Sequence, residues 1–372
     1  MKNLKFENLI FLCGARDFHA MDWYKSAKEQ VKDQEIIIVT DLIAGEGFTK
    51  IVNNNDRIYK LVILDNFLFN KQTSVGNLWR NILKLILLPI QICLLKFFAF
   101  RNPNSVYHAH SMYYLWLAWG AGIRYVGTPQ GSDILLKLDR SIFFRLLSIK
   151  ALKNAIAVTV DSEKMAQKIF SVSGVKALIV QNGIDINSLQ TIKETNKDKG
   201  RTIPILSVRG FTELYQIDKI IESRNSSQKI STVPISFLYP FQDDLYKQII
   251  YKDLMKFDMD IGRLERNDMY KKMLASILVI SIPFSDSSPR SVYESIFCGC
   301  IVAISYNTYY NILPECMKKR ILIVDLKEDL WLEKAYSKAL ELVKIKYVPS
   351  EEALNMFDQR KSFEKIKKLI FN

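Results

Sequence analysis

Two carboxylates, Asp286 and Glu294, stand eight positions apart in the segment PFSDSSPRSVYESIFCGC (283–300), where an apolar run ends and a helix begins. The run LASILVISIP ahead of them has the composition of a strand. Ser287 or Ser288 is placed to cap the helix, Pro289 suits its first turn because a missing N–H costs nothing there, and Gly299 is placed to end it. The unit is strand, loop, helix. A helix start offers unpaired backbone N–H groups and partial positive charge, which suits a phosphate. Asp286 falls in the loop and Glu294 one to two turns inside the helix. Two acceptor-only groups therefore flank the phosphate position and can hold hydroxyls of a sugar and of a ribose. That describes a nucleotide-sugar pocket. The plainer alternative is ordinary helix punctuation, with an acidic residue complementing the helix dipole.

Strand-like runs NLIFLCG, EIIIVTDL, KLVILDN, NSVYHAH and RYVGTPQ alternate with helical stretches through residue 188, the rhythm of a parallel sheet covered on both faces. After the polar stretch Gln190 to Arg201 the alternation restarts with IPILSVRG, VPISFLYPF, LVISIPF, CIVAISY and RILIVDL. The expected architecture is α/β, with two Rossmann-like domains at 1–189 and 202–350, a linker at 190–201, and a basic helical tail at 351–372. Ligands of such sheets bind beyond the carboxyl ends of the strands, so the site is expected in a cleft between the halves.

Several segments in order resemble the family 4 retaining glycosyltransferases (glycosyl transferases group 1), which have the GT-B fold. The carboxylate segment is similar to that family's acidic-(seven residues)-Glu motif, in the variant Ser-Asp-x-x-Pro-x-Ser-x-x-Glu before Cys-Gly. VYHAHS (106–111), VGTPQGSDILL (126–136), VTVDSEKM (158–165), VQNGIDI (180–186), LSVRGFTELYQID (206–218) and IGRLERNDMYKKMLA (261–275) follow the family's order. The resemblance implies two Rossmann-like domains facing across a cleft, the first binding the acceptor and the second the nucleotide sugar. It also implies that the C-terminal helix returns to the first domain.

By this resemblance Glu294 accepts hydrogen bonds from the ribose and Asp286 holds the donor sugar near its anomeric carbon, although the family more often has Glu at the first position. Ser287, Ser288 and the N–H groups up to Ser291 would face the diphosphate. Arg290 either adds charge there or is a solvated surface arginine. Arg209 looks like the family arginine that neutralises the leaving diphosphate, where a fixed cation meets charge that builds in the transition state. The family lysine five residues later is missing, since Leu214 and Tyr215 stand there, and Lys219 is the nearest substitute. Gln130, Gly131, Ser132 and Asp133 would line the acceptor side, with Ser132 or Asp133 also able to cap the next helix.

His108 and His110 alternate onto one face of their strand, and His110 is expected to contact the donor sugar as a catalytic residue with Asp286 and Arg209. Arg16, Asp17 and His19 follow the first strand, after Gly14, and are candidates for acceptor binding. No metal motif is present, and GT-B enzymes generally manage without a divalent ion. The expected cofactor is none, with a UDP- or GDP-sugar as substrate.

Charge and hydropathy suggest where the acceptor comes from. The chain has 372 residues, 49% of them apolar and 24% charged, with a formal net charge of +13. Between Asp65 and Asp133 there is no acidic residue, while Lys71, Arg80, Lys84, Lys96, Arg101 and Arg124 are basic. Within this stretch NLWRNILKLILLPIQICLLKFFAFR (77–101) is the most apolar segment, but Lys84, Pro89, Gln91 and Lys96 interrupt the roughly 20 apolar residues that a spanning helix needs. Basic and aromatic residues among aliphatics fit a helix lying in the interface of an anionic membrane, a pattern repeated in ILLKLDRSIFFRLLSIKALK (134–153). The alternative is a buried helix with snorkelling lysines. No nucleic-acid-binding motif is present, so nucleic acid is not an expected partner.

Five scattered cysteines, without a CxxC pair, suggest a reducing cytoplasm. The N-terminus reads as a first strand, not a signal peptide. The expectation is a cytoplasmic glycosyltransferase, peripheral at the inner face of the cytoplasmic membrane. It would transfer a sugar to a lipid-linked saccharide acceptor in making a bacterial surface polysaccharide of the O-antigen or capsule type. The rivals are a non-catalytic GT-B binding or scaffold subunit and transfer to a soluble acceptor.

Overall fold

The computed structural model describes residues 6–68, 74–196 and 200–371. Lys71 and residues 197–199 of the expected linker lie outside these. The chain forms two compact units, one of Met1–Asn182 with Arg360–Asn372 and the other of Gly183–Gln359.

The first unit has strands β1 (Asn8–Leu12), β2 (Glu35–Thr40), β3 (Arg57–Lys60), β4 (Ser105–His110), β5 (Tyr125–Thr128), β6 (Ala157–Val160) and β7 (Leu178–Ile179). Its helices are α1 (Phe18–Gln30), α2 (Glu46–Ile51), α3 (Ser74–Arg101), α4 (Met112–Ala121), α5 (Leu138–Arg140), α6 (Ile142–Asn154) and α7 (Glu163–Ser173). The sheet is parallel, in the order β3-β2-β1-β4-β5-β6-β7. The central strands are buried on both faces, as their unbroken apolar runs require. One expected strand moves: KLVILDN is not the third strand. RIYK just before it pairs with β2, and Leu64–Phe67 coils into a 3-10 turn because Leu64 N–H bonds back to Asp41 O.

The two most apolar helices of this unit solve the same problem differently. MYYLWLAWGA is apolar all round, and the resulting α4 is buried between α3 and α6. In α3 only one stripe is covered: Gln91, Leu95 and Phe98 are buried, and the Gln91 amide is satisfied by both peptide groups of Val62 at 2.9 and 3.1 Å. The outer stripe stays bare, with Ile86 at 63% and Phe100 at 82% exposure, and Cys93 lies exposed on the same helix. On α6, Ile142 is 80% exposed beside Phe143 and Leu146. Contrary to the sequence expectation, Leu78–Arg101 is long and apolar enough, by length and composition, to cross a membrane. Pro89 does not break the helix, and its inner polar group is matched.

The second unit has β8 (Ile203–Ser207), β9 (Ile235–Leu238), β10 (Met259–Gly262), β11 (Ser276–Ser281), β12 (Ile301–Ile304) and β13 (Ile321–Ile323). Its helices are α8 (Ile186–Thr195), α9 (Ile217–Ser226), α10 (Asp244–Tyr251), α11 (Arg266–Leu274), α12 (Arg290–Phe297), α13 (Glu315–Lys318), α14 (Trp331–Leu342) and α15 (Glu351–Phe357). The parallel order is β10-β9-β8-β11-β12-β13. The division falls at 182/183 and not at 189, because α8 packs on α11 of this unit and takes up the first half of the expected linker. The tail divides too. Glu351–Phe357 stays with the second unit, and the last helix, α16 (Gln359–Phe371), buries Phe363, Ile366 and Ile370 in the core of the first.

Both sheets reverse their winding once, between β1 and β4 and between β8 and β11. At each reversal the loops beyond the strand ends diverge and leave a crevice, the place where open α/β sheets bind ligands.

Candidate functional site

In the second unit the crevice is built from charged groups. Arg209 lies just beyond β8 and its guanidinium contacts the Asp286 carboxylate directly. The same guanidinium donates to Ser291 Oγ at 3.1 Å and lies over the Tyr215 ring, 4.5 Å from its centroid. Asp286 is held in place by its own N–H, which donates to Asn307 Oδ1 at 3.0 Å, and by Ser287 N–H, which donates to its Oδ1 at 2.8 Å.

Helix α12 begins at Arg290 with Pro289 as its N-cap and no side-chain cap, so neither Ser287 nor Ser288 caps it. The Ser287 N–H is engaged by Asp286 instead, and the Ser288 hydroxyl donates to Tyr293 at 3.4 Å. Pro289, the N-cap, supplies no side-chain acceptor of its own, and the positive end of the helix suits an anion. Gly299, at φ 81°, ends the helix as its position suggested.

Glu294 is buried. Its Oε1 accepts from the Tyr270 hydroxyl at 2.9 Å and lies 3.2 Å from Arg290 Nε. Burial and then the Glu294 charge push the Tyr270 phenol well up, so it stays a donor. Arg290 is therefore no solvated surface arginine. It bridges the first turn of α12 to Glu294. Lys219 does not join Arg209, because it pairs with Glu222 at 2.7 Å on the exposed side of α9.

Around the crevice Ser207 Oγ, Arg209 Nε, Thr212 Oγ1, Ser281 Oγ and the Tyr309 hydroxyl are buried without a hydrogen-bond partner. Buried polar atoms are rarely left so, and a ligand rich in oxygen would satisfy them. Tyr215, Tyr270, Asn307 and Tyr309 were missed by the sequence reading. Tyr270 lies within the recognised segment 261–275, whereas Asn307 and Tyr309 follow a strand that carried no motif.

The first unit's crevice is built around an imidazole, His110, that burial keeps neutral. A cavity of about 250 Å³ is lined by His19, His110, Gln130, Gly131, Ser132 and Asn182, among others. Asp17 organises it: one oxygen caps α1 through His19 N–H at 2.9 Å, and the other accepts from the Gln130 amide and lies 3.7 Å from His110 Nδ1. The turn that follows His110 is sharp, with Ser111 at φ 74°, a conformation costly for a residue with a side chain. Asp133 caps α4 through Met112 N–H at 3.0 Å, not the helical segment that begins with it, and also pairs with Lys137 at 2.8 Å.

Burial lowers the His110 pKa against the opposing pull of Asp17. Its strand neighbour His108 is completely buried at 2.8 Å from Thr128 Oγ1, beside the rings of Phe11 and Trp23, and burial pushes its pKa down to about 3. His108 is thus a core residue and His110 a wall of the cavity. Arg16 does not line this cavity; it lies 3.6 Å from Asp65. Gly14 reflects packing, since a Cβ there would come within 2.8 Å of the Tyr114 hydroxyl. Among the described residues no group of three or more His, Cys, Asp or Glu side chains could hold a metal ion.

Neither a family model nor a curated protein matches the sequence. Solved structures do. The Anabaena protein HepE, in complex with UDP and glucose, superimposes with a TM-score of 0.68 at 14% identity, covering 98% of this chain and 99% of that one. Sucrose-phosphate synthase from Thermosynechococcus elongatus gives 0.70 at 12% identity, covering 98% of each. UDP-GlcNAc 2-epimerase from Neisseria meningitidis, bound to UDP-GlcNAc, gives 0.57 at 12% identity, covering 97% of this chain and 98% of that one. The likeness runs over essentially the whole chain in each case, and with the two singly reversed parallel sheets it establishes that this protein has the two-domain, Rossmann-like GT-B fold.

Proposed function

We propose that the protein is a group 1, family 4-type glycosyltransferase that moves a sugar from a nucleoside diphosphate, UDP or GDP, to an acceptor. The observation that carries this reading is the cation and two carboxylates gathered at the β8/β11 crevice: Arg209 on Asp286, with Glu294 one helical step behind. As the sugar leaves, negative charge builds on the departing diphosphate. Arg209 and the uncapped start of α12 meet that charge with groups already in place, which is where such donors act most strongly. Asp286, released from Arg209 by the incoming diphosphate, holds the sugar hydroxyls, and Glu294 accepts from the ribose. His110, neutral through burial, offers the sugar a hydrogen bond without adding charge. Retention of anomeric configuration and independence of a metal ion belong to this reading by resemblance.

The acceptor in this reading is a lipid-linked saccharide in bacterial surface polysaccharide synthesis, reached from the cytoplasmic face of an anionic membrane. The bare apolar stripes of α3 and α6, bordered by Lys96, Arg101, Arg145 and Lys150, support it. The inner stripe of α3, packed against its own unit, supports a helix lying in the interface over one crossing the bilayer. Lys219, bound to Glu222 and not facing Arg209, favours a second reading in which the fold binds a nucleotide sugar without turning it over.

Thermal stabilisation by a panel of UDP-, GDP-, ADP- and CMP-sugars tests the donor site, with Arg209→Ala and Glu294→Ala alongside. One nucleotide class is expected to stabilise the wild type and neither variant. No shift with any nucleotide defeats the transferase reading. Co-sedimentation with vesicles containing phosphatidylglycerol, at low and high salt, tests the membrane. Loss of binding in an Ile86→Glu, Phe100→Ser variant is the expected result, and no binding by the wild type rejects it.

A further inference from the structure

A second charged cluster lies beyond the ends of β1 and β2, apart from the cavity of His19 and His110. Asp41, buried at the end of β2, accepts from the Tyr114 hydroxyl and lies 3.9 Å from Lys84 Nζ. Lys84 sits over the rings of Tyr113 and Tyr114, 4.1 and 4.8 Å from their centroids. Arg16 lies 3.6 Å from Asp65, a carboxylate whose other oxygen already accepts from the backbone of Ile43 and Ala44. Arg80, one turn before Lys84 on the same stripe of α3, has no hydrogen bond or ion pair among the described residues. The fields of Arg80 and Arg16 each bear on Lys84.

Three cations thus share two carboxylates, and each carboxylate is already engaged. Burial favours the neutral forms of both Asp41 and Lys84, so the permanent charges of the cluster are Arg16 and Arg80, and an incoming anion would favour the charged form of Lys84. The loop packs closely on the base of Arg16: a Cβ at Gly47 would stand 2.6 Å from the Arg16 carbonyl oxygen, and one at Gly45, itself at φ 147°, 2.8 Å from Arg16 Cβ. Uncompensated, partly buried cations are costly, and one anion with several oxygens would relieve all three.

We propose that Arg16, Arg80 and Lys84 form an anion site for the phosphate or diphosphate of an acceptor lipid. The same helix offers a surface for the lipid as well as a site for the phosphate. Arg80 and Lys84 occupy the inner stripe of the helix whose outer stripe exposes Leu78, Ile82, Leu85 and Ile86. A headgroup held beneath α3 places its chain at the edge of that apolar surface. This inference rests on the glycosyl-transfer reading and names the class of acceptor.

The test is calorimetric titration of the full chain with farnesyl diphosphate below its micellar concentration, with inorganic pyrophosphate and with UDP. Arg80→Gln removes an unpartnered side chain, so the fold is retained, and Arg80→Lys restores the charge. Farnesyl diphosphate is expected to bind Arg80→Gln at least about tenfold more weakly than wild type, with recovery in Arg80→Lys and no change in Arg209→Ala. UDP binding is expected to be the reverse, unchanged in Arg80→Gln and lost in Arg209→Ala. Equal binding of farnesyl diphosphate to wild type and Arg80→Gln overturns the proposal, as does its loss in Arg209→Ala. Pyrophosphate binding with the same affinity and the same Arg80 dependence overturns the lipid assignment in favour of a free phosphate. Failure of UDP, or of the base chosen by the nucleotide panel, to bind wild type counts against the transferase reading alone.

Discussion

The crevices at β1/β4 and β8/β11 occupy the same topological position in two similarly wound sheets, yet they are furnished with opposite chemistry. Beyond β8 and β11 stands an ion pair, Arg209 with Asp286, at the start of a helix with no side-chain cap. Beyond β1 and β4 stands a buried imidazole, His110, that burial keeps neutral, with a carboxylate 3.7 Å away. The contrast teaches what each crevice can hold. A fixed ion pair exchanges one partner for an incoming anion at little electrostatic cost, whereas a neutral imidazole beside a carboxylate suits hydroxyl groups and would repel an anion.

Removing the cation is the strongest way to break this contrast. Arg209→Ala leaves Asp286 without its partner and the departing diphosphate without its fixed charge. Turnover with the nucleotide sugar picked out by the panel is expected to fall by about 10²–10³-fold, measured at saturating donor. Arg209→Lys should recover only part of it, since a point charge replaces a planar fork that reaches both Asp286 and Ser291.

Acid sharpens the contrast from the other side. His108, with its pKa pushed down to about 3, must stay neutral in the folded chain while the unfolded chain protonates near 6.5. A depressed histidine pKa means that the unfolded state binds more protons below 6.5. The stabilising effect is therefore complete above that pH and is lost as the pH falls toward about 3. Between pH 6.5 and 5 the loss from His108 is roughly 2 kcal/mol. It is measured as the fall of the urea midpoint with pH, and a His108→Gln variant should show a flatter profile. His110, lowered in the same direction, adds to it.

A smaller effect tests the buried carboxylate. Tyr270→Phe deletes the donor to Glu294 Oε1 while Arg290 remains, so a stability loss of about 1 kcal/mol is expected, together with weaker stabilisation by the nucleotide. An unchanged response to nucleotide would place Glu294 outside the donor site.

Much of this was readable in the sequence because it depends on local order. The alternation of apolar runs foretells the central strands of both sheets, though not β3, β6, β7 or β10. The meeting of Arg209 with Asp286 follows from each lying just past a strand, once β8 and β11 are neighbours. What escaped the reading depends on competition between local and distant partners. Ser287 and Ser288 fit an N-cap pattern, but the Ser287 N–H is taken by Asp286 and the chain enters the helix at Pro289. KLVILDN has strand composition, yet the backbone of Asp41 captures Leu64 and turns it. Tyr270 and Asn307 are joined to the carboxylates across 24 and 21 positions of sequence, and no spacing rule spans that distance. The inward set on α3, Arg80, Lys84, Gln91, Leu95 and Phe98, does follow helical spacing, and there the charge pattern alone concealed which face was covered.

The thiol on α3 has a use of its own. Cys13, Cys298 and Cys300 are buried and Cys316 is half-buried, which leaves Cys93 as the exposed cysteine, on the helix that carries the bare apolar stripe. A polarity-sensitive fluorophore coupled through maleimide therefore attaches at one chosen depth on that helix without any engineered residue. Its emission colour in water, on neutral vesicles and on anionic vesicles would turn the unaltered protein into a gauge of its own immersion.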